Sequence, residues 1–208
     1  MTTAAPAARE MKFTPLDATD RDTVPRLFLS AVDRFGRPRA LMHKQGGAWR
    51  EISHGQVEER VRAIAAALES WGIAPGDRVA LLSENRPEWA LVDFAVTGIG
   101  AADVPLYPTL PANQIAYILH DSGAKAIFLS SAEQAAKIAA IRATLPGVAH
   151  VVAFDGDAAG DGVLRLADVE AEGRRLVAEG RATDFRALAD RVERDDLATL
   201  IYTSGTTG

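Results

Sequence analysis

The chain ends in a short apolar run that meets six residues of only Thr, Ser and Gly: Leu200-Ile201-Tyr202-Thr203-Ser204-Gly205-Thr206-Thr207-Gly208. No side chain in this loop is bulky enough to keep a ligand from the backbone, and its glycines can adopt positive φ. Backbone N–H groups in such a turn form a concave anion site, and neighbouring hydroxyls can supplement it or reach a metal ion carried by phosphates. The stretch therefore indicates a phosphate-binding loop.

A Ser/Thr/Gly linker is the structural alternative, and composition alone does not separate it from a phosphate site. Residues 198–202 favour the phosphate site, because they predict a buried strand that feeds the loop directly, which a flexible linker does not need. A Walker A loop is excluded, since that motif requires Gly-Lys-Ser/Thr after its first glycine and the chain contains no such run.

This loop resembles the phosphate-binding loop of the adenylate-forming superfamily, which includes acyl-CoA synthetases, luciferases and peptide-synthetase adenylation domains. Four further segments resemble long-chain fatty acid-CoA ligases in the same order: residues 76–89, 104–111, 116–128 and 194–199. The loop identifies the superfamily, whereas Asn85-Arg86-Pro87-Glu88-Trp89 and Tyr107-Pro108-Thr109 favour the long-chain branch.

The resemblance implies an enzyme that activates a long-chain fatty acid with ATP to an acyl-adenylate and transfers the acyl group to coenzyme A, with Mg²⁺ accompanying the phosphates. It makes Thr203 a magnesium ligand. The implied phosphate-binding residues are Thr203, Ser204, Gly205, Thr206, Thr207 and Gly208. In the superfamily the loop lysine, the acidic magnesium ligand, the ribose-binding aspartate and the catalytic lysine of the C-terminal domain lie beyond this loop, so no catalytic residue is expected in the chain.

For domain organisation, we expect a disordered leader at residues 1–20 and the N-terminal portion of an adenylation domain at residues 21–208, truncated within the phosphate-binding loop. Domains do not end inside functional loops, so the chain is expected to be a fragment that is inactive alone. Two other functions stay open. Another adenylating ligase, of aryl-acid or peptide-synthetase type, would differ in the acid that supports pyrophosphate release. A non-catalytic nucleotide-binding or interaction module would bind Mg-ATP with this chain alone.

Composition describes an ordinary globular protein of 208 residues, with 48% hydrophobic residues, 25% charged residues and a net charge of −5. No basic stripe suggests nucleic acid, and without cysteine any thiol chemistry must use a thiol brought by a substrate. The longest apolar stretch, residues 89–102, contains Asp93 and is shorter than the roughly 18 residues that suggest a membrane span. We expect no transmembrane segment and a cytoplasmic location. Peripheral contact with the inner membrane face and the oligomeric state stay open.

Short apolar strands alternate with helical patterns along the chain, which predicts an α/β fold with a mainly parallel sheet and helices on its faces. The predicted strands cover residues 78–83, 103–106, 125–129, 150–154 and 198–202, and the predicted helices cover residues 87–99, 111–121 and 131–144. Residues 164–192 are expected to form two helical pieces broken near Gly180. A β-hairpin is predicted at residues 40–52, followed by a helix whose capping box pairs Ser53 with Gln56. Ligands of such sheets bind at the carboxyl ends of the strands, where the loop is expected.

Three other features have a structural interpretation. Asp155, Asp157 and Asp161 lack the remaining oxygen ligands of a calcium loop and predict a solvated acidic connection. Asn85 is expected to cap a helix that has Pro87 in its first turn. Tyr107 is expected to pack beneath the terminal loop.

Overall fold

The computed structural model describes residues 22–160 and 162–203. The α-helices are α1 Val24–Phe35, α2 His54–Ser70, α3 Pro87–Gly98, α4 Ala112–Ser122, α5 Ala132–Ile141, α6 Leu166–Ala178 and α7 Phe185–Ala189. The strands are β1 Leu41–Gln45, β2 Ala48–Ile52, β3 Arg78–Leu82, β4 Ala102–Leu106, β5 Ala126–Leu129, β6 His150–Ala153 and β7 Leu164–Arg165.

Five strands form one parallel sheet in the order β4-β3-β5-β6-β7. The chain moves outward from β3 to β4 on one side and then returns to place β5 on the other side. This reversal makes the crevice between the carboxyl ends of β3 and β5 a topological switch point, the position where open α/β sheets bind ligands. The predicted α/β class and parallel sheet are confirmed.

Helices cover both faces of this sheet. Alternating side chains of β3 enter two different apolar clusters: Val79 and Leu81 face α1, α2, α3, α6 and α7, whereas Ala80 and Leu82 face α4 and α5. Because strand side chains alternate between faces, each buried strand contributes to both cores.

The hairpin and the capping box are confirmed. β1 and β2 pair antiparallel across Gly46 and Gly47, whose φ values of 58° and 79° give the left-handed turn that suits a two-residue hairpin. The Ser53 hydroxyl accepts from the Gln56 N–H at 3.2 Å, and the Gln56 side chain accepts from the Ser53 N–H at 2.8 Å.

The strand predicted at residues 198–202 is wrong as an element. Thr199 forms a single parallel bridge with Asp103 of β4. The Asp103 N–H donates to the Ala198 carbonyl at 3.0 Å, and the Leu200 N–H donates to the Asp103 carbonyl at 2.9 Å. Within the described residues, this segment pairs with β4 on one side only. Its apolar pattern therefore reflects packing against the sheet edge and not a full strand in the sheet.

Two smaller expectations also need correction. Arg86, not Asn85, is the N-cap residue of α3, and no side chain caps that helix end. The predicted helix from residue 164 begins only at Leu166, because residues 164–165 first pair with β6 as the short strand β7. The break near Gly180 is confirmed, with φ of 68° at that glycine.

The predicted disordered leader, residues 1–20, lies outside the described residues. In the part of the chain that the structure describes, no helix is both long enough and apolar enough to cross a membrane.

Candidate active site

Polar residues follow the parallel strands at one edge of the sheet. Glu84 comes shortly after β3, Tyr107 directly after β4, Ser130 directly after β5 and Asp155 shortly after β6. A cavity of about 510 Å³ opens at this edge. It is lined by Ser83, Glu84, Asn85, Trp89, Pro105, Leu106, Tyr107, Pro108 and Ile201. The edge therefore offers an apolar cavity rimmed by polar groups, between the switch point and the segment that leads to residue 203.

Arg86 joins two of these strand ends to the start of α3. Its guanidinium donates to the Ser130 carbonyl at 3.1 Å, to Asp155 Oδ1 at 2.9 Å and to Glu88 Oε2 at 2.8 Å, and it lies over the Phe154 ring. Burial lowers the pKa of Arg86, but the hydrogen bonds to Asp155 and Glu88 outweigh burial and raise it. The residue is a permanent cation that fixes the ends of β5 and β6 against the start of α3.

Gln134 on α5 joins the segments that follow β3 and β4. Its side chain is 1% exposed, and its Nε2 lies 3.4 Å from Glu84 Oε1 and 3.3 Å from the Pro108 carbonyl. The Ser130 hydroxyl and this amide lower the pKa of Glu84, so its carboxylate is ionised at neutral pH. Sequence reasoning missed Gln134, although a glutamine four residues before the buried Ile138, on the core face of a helix, was an available signal.

Thr203 is the one predicted phosphate-binding residue that the structure describes. It is exposed, and it lies two residues after Ile201, which lines the cavity. The other predicted residues, Ser204, Gly205, Thr206, Thr207 and Gly208, lie outside the described residues, so the composition of the phosphate site stays a prediction.

The Tyr202 side chain lies on the opposite side of this segment from Ile201. Its hydroxyl donates to Asp121 Oδ2 on α4 at 2.6 Å, and its ring packs, partly buried, against the cluster formed with α4 and α5. Burial and the Asp121 carboxylate raise the pKa of Tyr202 to about 12.

Two carboxyl groups meet where residues 198–200 join the sheet. Asp103 of β4 is 2% exposed, and Asp93 projects from α3 beside it. Burial and the Asp103 carboxylate raise the pKa of Asp93 to about 7. Burial also raises the pKa of Asp103, and a hydrogen bond from the Thr199 side chain opposes this rise only in part. Two like charges in one buried site cannot both ionise cheaply, so the pair holds a proton near neutral pH.

Tyr107 is 63% exposed on the cavity rim. Apart from Thr203, the loop beneath which it is expected to pack lies outside the described residues, so that packing stays a prediction. Asp155, in the predicted solvated acidic connection, is paired with Arg86. In residues 22–160 and 162–203, no group of three or more His, Asp or Glu side chains could hold a metal ion.

A parallel sheet of order β4-β3-β5-β6-β7, with helices on both faces and a cavity at its polar strand ends, defines an α/β protein. The AMP-binding enzyme family matches residues 28–208, and the chain belongs to that family.

Several curated relatives are named long-chain-fatty-acid–CoA ligases. FadD15 of Mycobacterium bovis is 36% identical over 165 residues, which cover 78% of this chain and 26% of FadD15. ACSBG1 of Mus musculus is 28% identical over 210 residues, which cover 100% of this chain and 28% of ACSBG1. The chain thus spans about a quarter of the length of the curated relatives it matches.

Solved structures share the fold. The N-terminal domain of FACL13 from Mycobacterium tuberculosis aligns with a TM-score of 0.66 and 27% identity, covering 88% of this chain and 42% of that chain. The anthranilate CoA ligase AuaEII, solved in complex with anthranoyl-AMP, aligns with a TM-score of 0.74 over 89% of this chain and 32% of that chain. Its identity is 24%, so this likeness shows the fold alone.

Proposed function

We propose that the full-length protein carrying these residues is an ATP-dependent, AMP-forming long-chain fatty acid-CoA ligase. Its substrates are a long-chain fatty acid, ATP and coenzyme A. The observation that carries the proposal is the Thr/Ser/Gly loop of residues 203–208, which directly follows a segment lining the strand-end cavity in a chain of the AMP-binding enzyme family. The relatives named long-chain-fatty-acid–CoA ligases support the choice of acid.

The reaction has two steps. The fatty acid carboxylate attacks the α-phosphate of ATP and pyrophosphate leaves, which gives an acyl-adenylate; the thiol of coenzyme A then attacks the acyl carbon and AMP leaves. The chain itself contains no cysteine, which is consistent with a thiol supplied by the substrate.

The loop's contribution is electrostatic. Its N–H groups and hydroxyls would hold the terminal phosphates while negative charge moves onto the departing pyrophosphate, and donors fixed in advance stabilise that charge without reorganisation. Mg²⁺ takes oxygen ligands, and the Thr203 hydroxyl, which is exposed two residues after the cavity-lining Ile201, has the chemistry of one of them. When bound with the nucleotide, Mg²⁺ would neutralise part of the phosphate charge.

The full-length protein tests this proposal when it is assayed with Mg-ATP, coenzyme A and a panel of acids. Pyrophosphate release and acyl-CoA formation should be fastest with palmitate or oleate. A clear preference for acetate, an aryl acid or an amino acid would contradict the long-chain assignment and leave adenylation intact.

A cytoplasmic location belongs to the same proposal, because ATP and coenzyme A must be available together. Peripheral contact at the inner membrane face would bring the enzyme close to long-chain acids that partition into lipid. Cosedimentation of the full-length protein with anionic vesicles tests that contact. If the protein does not cosediment with the vesicles at low salt, the proposed membrane contact is wrong.

A further inference from the structure

Two contacts fix the segment that leads to the proposed phosphate-binding loop. The first is the backbone bridge between Thr199 and Asp103, at the beginning of the segment. The second is the hydrogen bond from the Tyr202 hydroxyl to Asp121, one residue before Thr203. Ile201, between these contacts, is 63% exposed and faces the cavity. The Tyr202 contact is therefore the one nearest to the loop among the described residues.

Asp121 gives Tyr202 a firm support, because the end of α4 is itself tied to the sheet. Arg78 of β3 donates from Nε to the Ser122 carbonyl at 2.5 Å and from Nη2 to the Gly123 carbonyl at 3.5 Å. Gly123 has φ of 63°, a backbone conformation that favours glycine, and a Cβ there would lie 2.6 Å from Arg78 Nη2, so a larger residue would displace the guanidinium. The contacts form a continuous connection from β3 through α4 to Tyr202.

The stability of α4 alone does not explain a carboxylate at the position of Asp121. It lies in the last turn of α4, where the helix dipole disfavours a carboxylate. Its side chain is exposed, and its Oδ2 accepts a hydrogen bond from the Tyr202 hydroxyl. A negative charge at that position is explained by its role as a strong acceptor for Tyr202.

We propose that Asp121 is a positioning residue for adenylation, which holds Tyr202 and thereby fixes the entry of the phosphate-binding loop at Thr203. This inference rests on the proposed function. Without the anchor, the segment after the Thr199 bridge can move, and donors that move bind phosphates less well and misplace the α-phosphate. A displacement of about 1 Å far from the reacting atoms can cost roughly 100-fold in rate.

The test uses three single variants of the full-length protein and the double variant that combines Tyr202→Phe with Asp121→Ala. Tyr202→Phe keeps the packed ring and removes the hydroxyl, Asp121→Ala removes the acceptor, and Asp121→Asn retains a neutral acceptor oxygen. We expect Tyr202→Phe and Asp121→Ala each to lower kcat/KM for Mg-ATP by about 10- to 100-fold, mainly through a raised KM. Asp121→Asn should recover most of this loss. The double variant should be no worse than the worse single variant, because both changes break the same contact.

A second assay separates positioning from general damage. Thioester formation from supplied acyl-adenylate and coenzyme A uses no ATP, so it should stay within about 2-fold of wild type in all three variants. Tyr117→Phe is the matched control, since it removes the hydroxyl of a 63% exposed tyrosine from α4, the helix that also carries Asp121. This control should leave both half-reactions unchanged.

Wild-type Mg-ATP kinetics in Tyr202→Phe, losses that multiply in the double variant, or equal losses in both half-reactions would each overturn the inference. If the wild-type protein adenylates no acid, the proposed function fails. Calorimetric titration with Mg-ATP then still tests the positioning role of Asp121. That role predicts roughly 10-fold weaker Mg-ATP binding in Tyr202→Phe than in wild type. Equal affinities, or no nucleotide binding by either protein, would refute it.

Discussion

Thr203 allows the phosphate-site proposal to be tested at a single atom. Thr203→Val keeps the side chain's size and removes the hydroxyl expected to meet Mg²⁺. Loss of a contact to a charged group worth about 1.5 to 3 kcal/mol should slow adenylation by roughly 10- to 150-fold. Initial rates of pyrophosphate release by the full-length protein at limiting magnesium measure the effect. Unchanged rates would show that the oxygen is not used.

The buried pair Asp93 and Asp103 predicts a dependence of stability on pH. The pKa of Asp93 is raised from 3.8 to about 7, so between these values the folded protein keeps a proton that the unfolded chain releases. The free energy of unfolding should therefore fall as pH rises from about 4 to 7, and the contribution is lost above that range. Asp93→Asn removes the titration and should be more stable than wild type at pH 8, by about 1 to 3 kcal/mol.

Denaturant unfolding of wild type and Asp93→Asn at pH 4.5 and 8 checks this sign. Asp157→Asn, a substitution at an exposed carboxylate, is the control and should keep the wild-type difference between the two pH values. The same pH difference in Asp93→Asn as in wild type would refute a proton held by the pair.

At the scale of elements, the close approach of α6 to α2 depends on one glycine. A Cβ on Gly173 would lie 1.8 Å from the Ala63 carbonyl oxygen, a backbone atom that cannot rotate away. Gly173→Ala should therefore push the two helices apart and lower the free energy of unfolding by about 3 kcal/mol. Thermal or denaturant unfolding measures this change.

Gly55→Ala in α2 is the matched control for that substitution. The nearest atom to its new Cβ is the Ser53 hydroxyl oxygen at 4.0 Å, so alanine fits and its helix propensity should leave stability equal or slightly higher. Equal effects of the two substitutions would contradict the tight contact between α2 and α6.

The elements that sequence predicted well are those with local causes. The capping box of Ser53 and Gln56 and the Gly46-Gly47 turn are encoded within a few neighbouring residues. The cap of α3 and the segment at residues 198–202 were mispredicted, because they depend on distant partners. Arg86 is held by Ser130 and Asp155, and Thr199 forms an isolated bridge with Asp103. Neither arrangement leaves a periodic signal in the sequence.

At the scale of the whole molecule, alternating strands and helices predicted a parallel sheet, but they could not give the strand order. That order depends on which strand packs beside β3, a property of the complete core. The sequence therefore predicted a ligand site at the strand ends without locating the cavity beside the ends of β3 and β4. The spacing of Gln134 and Ile138 signals a buried glutamine, but the partners of its amide, Glu84 and the Pro108 carbonyl, follow only from the packing of α5 against the sheet.

In the proposed reaction, a fatty acid carboxylate attacks the α-phosphate of ATP. Incubation of the full-length protein with carboxyl-¹⁸O-labelled palmitate, Mg-ATP and coenzyme A tests it directly, with mass spectrometry of the products. Attack at the α-phosphate leaves one labelled oxygen on AMP when the thiol takes the acyl group, and the pyrophosphate stays unlabelled. ADP with labelled inorganic phosphate, or AMP without label, would contradict attack of the carboxylate at the α-phosphate.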